Sequence, residues 1–190
     1  MPARVKVTRD MVLDAAFEVA RESGAEKINA RTVAERLKCS TQPVMYQFAT
    51  IEELKRAVYE KADEYHSEYL MKMEAPPKGA LLGIGMNYIR FAMEEPRLFR
   101  FLFQSNVFKG KTLPELVDAP ELAPVLSAMQ GAMGVGMEET KRIFLTVFLF
   151  AHGYASIIAN NSLKYDEAVI ADDLERAYKG AILEAREDAK

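Results

Sequence analysis

Apolar residues recur at helical spacing from Val12 almost to the end of the chain, and the pattern predicts an all-α protein. The first helix opens at Thr8, a capping residue. Val12, Leu13, Ala16, Phe17, Val19 and Ala20 form its apolar side, and Gly24 closes it. Two short helices follow within Ile28–Phe48. Asn29 can cap the first, whose apolar stripe is Val33, Ala34 and Leu37. Lys38-Cys39 turns the chain. Ser40 is expected to cap the second by accepting from backbone N–H groups, and Pro43 at its third helical position needs no intrahelical donor. Val44 and Phe48 lie four apart and share a face. Each residue turns a helix by about 100°, so Gln42 and Tyr46 point the other way, flanked by Thr41, Pro43, Met45 and Gln47.

Thr50 and Glu53 spell a capping box that opens a long helix, expected to run to about Met73. Ala57, Tyr65, Tyr69 and Leu70 are expected on its core side, with Ala75-Pro76-Pro77 as the stop. Leu81, Ile84, Tyr88, Ile89, Phe91 and Ala92 mark another helix, and Pro96 starts a short aromatic one. Residues 109–120 read as loop and 121–130 as a short helix. Two long helices close the chain, Glu138–Asn160 and Asp166–Ala185. Ala151, Ala155 and Ala159 recur every four residues beside Gly153 and Ser156, and small residues on one face let another helix approach closely. Together with Leu174 and Tyr178 of the last helix, and His152, they suit a four-helix interface between two copies. The same helices could instead complete the core of one chain.

Such a short helix, held by a few apolar residues and showing hydrogen-bonding side chains, is what a helix-turn-helix requires. The Gln42 amide suits an adenine edge, and Thr41, Pro43 or Met45 can pack on a thymine methyl. Charge distribution agrees modestly. The net charge is −3, but residues 1–50 hold eight Lys/Arg against six Asp/Glu, or +2, which leaves −5 for the remainder. Residues 2–7 lack helical periodicity and carry Arg4 and Lys6, so they read as an arm that could touch phosphates.

At 190 residues with 49% hydrophobic content, the chain suits one large or two small domains with a real core. A single cysteine, Cys39, excludes an intramolecular disulfide and reads as a small filler in the turn. The opening MPARVKVTRD is short and polar, and no uninterrupted apolar run reaches the roughly 20 residues of a membrane span. The expectation is a cytoplasmic protein with no membrane partner.

Catalytic chemistry finds no support. His66 and His152 fall on different helices, and Asp63 one turn before His66 reads as solvated surface more readily than as a metal site. Gly131, Gly134 and Gly136 have no preceding strand, so they read as a helix connector and not a dinucleotide loop. No enzyme, metal or cofactor is expected. The Met-rich, aromatic C-terminal part could house an apolar pocket near Tyr65, Tyr69, Tyr88, Phe91, Phe103 and Phe148.

Residues 8–55, from TRDMVLDAAFEVARESG through INARTVAERLKCS to STQPVMYQFATIEELK, resemble the DNA-binding domain of the TetR family of ligand-responsive transcriptional repressors. YIRFAMEEPRLFRFLF and FLFAHGYASIIANNSL are similar to segments of that family's ligand and dimerisation domains. Four positions depart from the family pattern. Met45 replaces a Tyr, Gln47 a His, Ile51 a Lys, and Lys38 stands where the turn often has Gly. The resemblance implies a DNA-binding domain at 1–50 and a ligand-binding and dimerisation domain at 51–190. It also implies a homodimer on a palindromic operator in double-stranded DNA, released by a small, largely apolar molecule. The DNA contacts it implies are Arg31, Thr32, Ser40, Thr41, Gln42, Pro43, Met45, Tyr46, Gln47 and Thr50, joined by Arg4 and Lys6. The alternative from another class is a helical adaptor whose N-terminal part binds protein.

Overall fold

The structure, a computed structural model, describes residues 7–72, 80–105, 110, 112–161 and 163–187. Arg4 and Lys6 lie outside the described residues, as does the expected stop at Ala75-Pro76-Pro77. The described residues form ten α-helices and no strand. The chain divides into two compact units, Met1–Glu68 with Glu95–Val107 and Tyr69–Glu94 with Phe108–Lys190.

In the first unit, α1 (Arg9–Ser23) begins where Thr8 Oγ1 accepts from the Met11 N–H at 3.2 Å. It ends at Gly24, whose φ of 99° suits glycine and whose N–H donates to the Ala20 carbonyl. Helices α2 (Ala30–Arg36) and α3 (Thr41–Gln47) follow. Helix α4 (Ile51–Met71) opens with Thr50 accepting from the Glu53 N–H. The Glu53 carboxylate accepts from the Ala49 N–H, one residue earlier than in a standard capping box.

The buried stripe of α4 is Leu54, Val58, Ala62 and His66, at strict four-residue spacing. This corrects the expected core side: Ala57, Tyr65, Tyr69 and Leu70 are only half-buried. The physical reason is visible for the two tyrosines. Each keeps its hydroxyl at the edge of the stripe, where Tyr65 donates to Glu95 at 3.2 Å and Tyr69 to Glu94 at 2.6 Å.

Helix α6 (Pro96–Phe103) has Pro at its first position and buries Leu98, Phe99 and Leu102. It packs on α1, and the nearly buried Glu95 accepts from Arg21 Nε at 2.8 and 2.9 Å. A carboxylate this far from water needs such partners. The first unit therefore extends beyond the expected boundary at residue 50, because α6 and most of α4 share its core.

The second unit contains α5 (Ala80–Glu94), α7 (Leu113–Val117), α8 (Ala123–Met133), α9 (Met137–Asn161) and α10 (Glu167–Glu187). Residues 113–117, expected as loop, form α7 behind a Thr112–Glu115 capping box. Helix α8 runs through Gly131 and stops at Gly134 in the left-handed region, so only the last two of the three glycines act as connector. Asn87 Nδ2 donates to the carbonyls of Leu70 and Lys72, both at 3.0 Å, and so satisfies the end of α4 close to the expected stop.

Helix α9 packs on α5 and α10. Its Ala151, Ala155 and Ala159 are buried by their own chain, as is Leu174 of α10. His152 and Tyr178 are half-buried, with His152 Nδ1 2.9 Å from the Tyr88 hydroxyl and Tyr178 packed against the Met129–Met133–Ile143 cluster. Within one chain the small-residue row admits α5 and α10, and Leu174 comes 2.8 Å from a Cβ built on Gly85. What α9 leaves outward is Leu149 (45% exposed), Gly153 and Ile157 (47%). By length and composition alone α9 is apolar enough to cross a membrane, with a mean hydropathy of 1.6 over its best window. Of that window 22% is buried, and the exposed large apolar side chains of α9 are Leu149 and Ile157.

His66 also corrects an expectation. It ends the buried stripe of α4 with its ring edge-on to Phe103 at 5.1 Å, and is not solvated surface. Burial pulls its pKa down to about 4. Its neutral form therefore favours folding fully above the unfolded value near 6.5, and that contribution is lost as pH falls through about 4. The loss should total about 3 kcal/mol for this group. Urea unfolding at pH 7.5 and at pH 4 should show this dependence in the wild type and a flatter one in His66→Leu. Equal pH dependence in the two would contradict it.

Candidate nucleic-acid interface

Helix α2 starts on a doubly used cap. Asn29 Oδ1 accepts from the N–H groups of Arg31 and Thr32 at 3.0 and 3.1 Å, and the Asn29 N–H donates back to Thr32 Oγ1. The Thr32 hydroxyl also donates toward the Lys27 carbonyl at 2.7 Å. Thr32, expected at DNA, thus has its hydroxyl engaged in the cap.

The turn after α2 has a defined bond pattern. The Lys38 N–H donates to the Glu35 carbonyl at 3.1 Å, and the Cys39 N–H to the Ala34 carbonyl at 3.0 Å. These are the two bonds of a Schellman motif, whose C′ residue must be left-handed. That residue is Lys38, with φ of 53°, the one non-glycine in this region among the described residues. Glycine would adopt it without strain; lysine adds a charge at an exposed corner. Cys39 is only partly buried beside it.

Helix α3 then leaves the turn from Ser40, which has extended backbone geometry but no side-chain cap bond. The expected Ser40 cap is corrected, and the hydroxyl sits at the surface. Val44 and Phe48 are buried at 0 and 1% exposure, and the Phe48 N–H closes the helix on the Val44 carbonyl. Above the Phe48 ring, 4.1 Å from its centroid, lies the Arg9 guanidinium, which also reaches Glu53 at 3.4 Å. The first turn of α1 thereby holds the end of α3.

On the opposite side Thr41, Gln42, Met45 and Tyr46 are exposed, Tyr46 by 85%, and Pro43 is half-buried. Arg31 and Thr50 are exposed at the margins, although Thr50 Oγ1 accepts from the Glu53 N–H. Gln47 departs from this group. It is half-buried, and its Nε2 donates to the Val7 carbonyl at 3.0 Å. The surface that remains is a short, uncharged ridge of amide, phenol, hydroxyl and thioether groups. Such a ridge has the donors, acceptors and apolar tips that base edges require.

Of the six aromatic residues expected near a pocket, two fall in the first unit and four in the second. Tyr65 packs against Phe17, and Phe103 against His66, in the first unit. In the second unit Tyr69 meets Phe91, and Tyr88 meets Phe148 and His152. Burial pushes the Tyr88 phenol up and the His152 imidazole down, so both are neutral near pH 7.

Residues 81–181 match the family model described as tetracyclin repressor-like, C-terminal domain. That match covers more than half of the chain, which therefore belongs to the TetR-like transcriptional regulators. A solved transcriptional regulator from Rhodococcus sp. Rha1 has the same fold, with a TM-score of 0.65 over 94% of this chain and 98% of that one, at 19% identity. No match was found among curated proteins.

The two faces of α3 should respond oppositely to truncation. Phe48→Ala should cost about 3–5 kcal/mol of stability, because it empties a filled site. Tyr46→Ala should stay within about 0.5 kcal/mol. Chemical denaturation of both variants would reverse the assignment if Tyr46→Ala proved the more damaging.

Proposed function

We propose that the protein is a homodimeric, cytoplasmic DNA-binding transcriptional regulator, a repressor released from a palindromic operator by a small, largely apolar ligand. The observation that carries this reading is the exposure pattern of α3: Val44 and Phe48 turn inward while Gln42, Met45 and Tyr46 stand clear. Gln42 would address an adenine edge, with Thr41 and Met45 beside it for a thymine methyl. Two heads related by a two-fold axis would occupy successive major grooves. Ligand binding in the second unit would favour a conformation whose head spacing no longer fits them. The neutral Tyr88–His152 pair beside Phe148 offers one polar handle within an aromatic surround, which suits a largely apolar guest.

Dimerisation is assigned to the outward face of α9. Leu149, Gly153 and Ile157 form an apolar strip at helical spacing, and a Cβ on Gly153 would meet nothing within 4 Å of its own chain. Exposed apolar strips of this kind mark association surfaces.

Selection of duplexes from a random-sequence library by the wild-type protein tests the DNA reading directly. Gln42→Ala and Tyr46→Ala should each weaken the selected complex by about 1–3 kcal/mol with little change in stability. Failure to select any duplex, or unchanged binding by both variants, would sink it.

The dimer reading is separable by sedimentation. Gly153→Glu should give a folded monomer, since the side chain has room within the chain but would face its own copy across the axis. Ala155→Glu should instead unfold the second unit, because it buries a charge with no partner, at a cost of several kcal/mol. A Gly153→Glu protein that remains dimeric would move the interface elsewhere.

A further inference from the structure

We propose that Lys38, the left-handed lysine in the turn between α2 and α3, binds a DNA phosphate beside the reading ridge. This rests on the DNA-binding reading above and adds an anion contact outside the expected set. The ridge itself is short of charge. Helix α3, TQPVMYQ, carries no charged side chain. Helix α4 follows with Ile51, Glu52 and Glu53, so two carboxylates precede its first cation, Lys55. Affinity for duplex DNA nevertheless depends on cations that displace the counterions of phosphates. Lys38, three residues before Thr41, is the cation nearest to α3 in sequence.

Several other cations of the first unit are engaged within it. Arg9 lies over Phe48 and reaches Glu53, Arg21 binds Glu95, Arg36 holds Glu22 at 2.6 and 2.8 Å, and Lys61 holds Asp14. Lys27, Arg31, Lys38 and Arg56 are exposed and make no ion pair among the described residues. Of these, Arg31 and Lys38 bracket α2, one in its first turn and the other just beyond its last. At about 1.5 Å of rise per residue they stand roughly 10 Å apart along the helix, enough to engage separate phosphates.

The backbone singles out Lys38. It is the one non-glycine at positive φ among the described residues, with φ of 53°. Its N–H bond to the Glu35 carbonyl and the Cys39 N–H bond to Ala34 demand that conformation. Glycine enters it without a steric clash, whereas lysine does so against its own Cβ. No contact of the side chain offsets this among the described residues. Lys38 is exposed and does not pair even with Glu35, three residues back. Strain kept at an exposed corner points to a role that folding does not require. The partner that suits a lone ammonium on a flexible stem beside a base-reading ridge is a phosphate.

The test uses the duplex selected by the wild-type protein and measures affinity against salt, base preference and thermal melting. Lys38→Gly removes the cation and the strain together. Lys38→Asn removes the cation with a residue that tolerates the left-handed region. Both should make the slope of log affinity against log salt shallower by about 0.9, the value of one phosphate contact. Both should weaken selected and random duplexes alike, without changing the preferred bases. Lys38→Gly should melt at or above the wild-type temperature, because glycine relieves the turn. Lys38→Arg, which keeps the charge, should keep the slope.

An unchanged slope in both neutral variants, while the wild type still binds its duplex, overturns the proposal and leaves the DNA-binding reading standing. A changed base preference in those variants also overturns it, since Lys38 would then read a base edge. So does a Lys38→Arg protein whose slope falls like that of the neutral variants. A Lys38→Gly protein that melts below the wild type overturns it too, because the lysine would then serve the fold. If the wild type selects no duplex at all, the DNA-binding reading falls, and this inference falls with it.

Discussion

A seven-residue helix cannot hold its own shape in water, and the first unit is built around that constraint. Isolated helices shorter than about 12–15 residues are marginal, since few hydrogen bonds repay the nucleation cost. Helix α3 makes barely two turns and has no side-chain N-cap. Its order must come from outside. The Schellman turn through Lys38 fixes where it starts, Val44 and Phe48 anchor it to the core, and Arg9 caps the Phe48 ring. Burial of each of those two side chains contributes about 1.5–3 kcal/mol. With the inward side fixed in this way, the outward residues are free of any structural duty. That freedom makes Gln42 and Tyr46 available for recognition.

The same unit contains a second, polar constraint. Glu95 is nearly buried and receives Arg21 and the Tyr65 hydroxyl, which links α1, α4 and the start of α6. Buried ion pairs add little net stability over a well-packed apolar substitute, because desolvation offsets the attraction. Their geometry is demanding, however. An apolar seam among α1, α4 and α6 could slip by a turn, whereas a bidentate arginine on a carboxylate admits one register. His66 lies on the same helix as Tyr65 but has the opposite character, a neutral ring held edge-on to Phe103. One side of α4 fixes position and the other fills volume.

Much of this was legible in the sequence, because helix boundaries are written in local chemistry. Thr8, Asn29, Thr50 and Pro96 each open a helix where expected, and Gly24 closes one. The inward pair Val44 and Phe48 followed from spacing alone. The errors share a physical origin. Ser40 has the right type and place for a cap, but its hydroxyl makes no such bond. Tyr65 and Tyr69 satisfy helical periodicity, yet hydroxyls in need of partners rotate the buried stripe to Leu54, Val58, Ala62 and His66. For Gln47, whose chemistry suits a DNA contact, spacing also gives no sign of the bond its amide makes to the Val7 carbonyl. No local pattern records a partner 40 residues away.

The small residues of α9 show the same limit in a form that bears on assembly. Periodicity identifies a face that another helix can approach closely, but not which helix does so. In the structure Ala151, Ala155 and Ala159 are covered by α5 and α10 of their own chain, and the close contact of Gly85 with Leu174 shows how tightly that layer is packed. Gly153 lies on the other side, where its own chain leaves open space. A mid-helix glycine costs about 1 kcal/mol relative to alanine, so its presence there needs a reason. Nothing among the described residues supplies one. With Leu149 and Ile157 on either side, a flat apolar strip with a notch at its centre fits a second helix crossing at close range. In the proposed dimer that helix is α9 of the second copy. Both faces of α9 would then carry small residues for the same steric reason, one toward its own chain and one toward its copy.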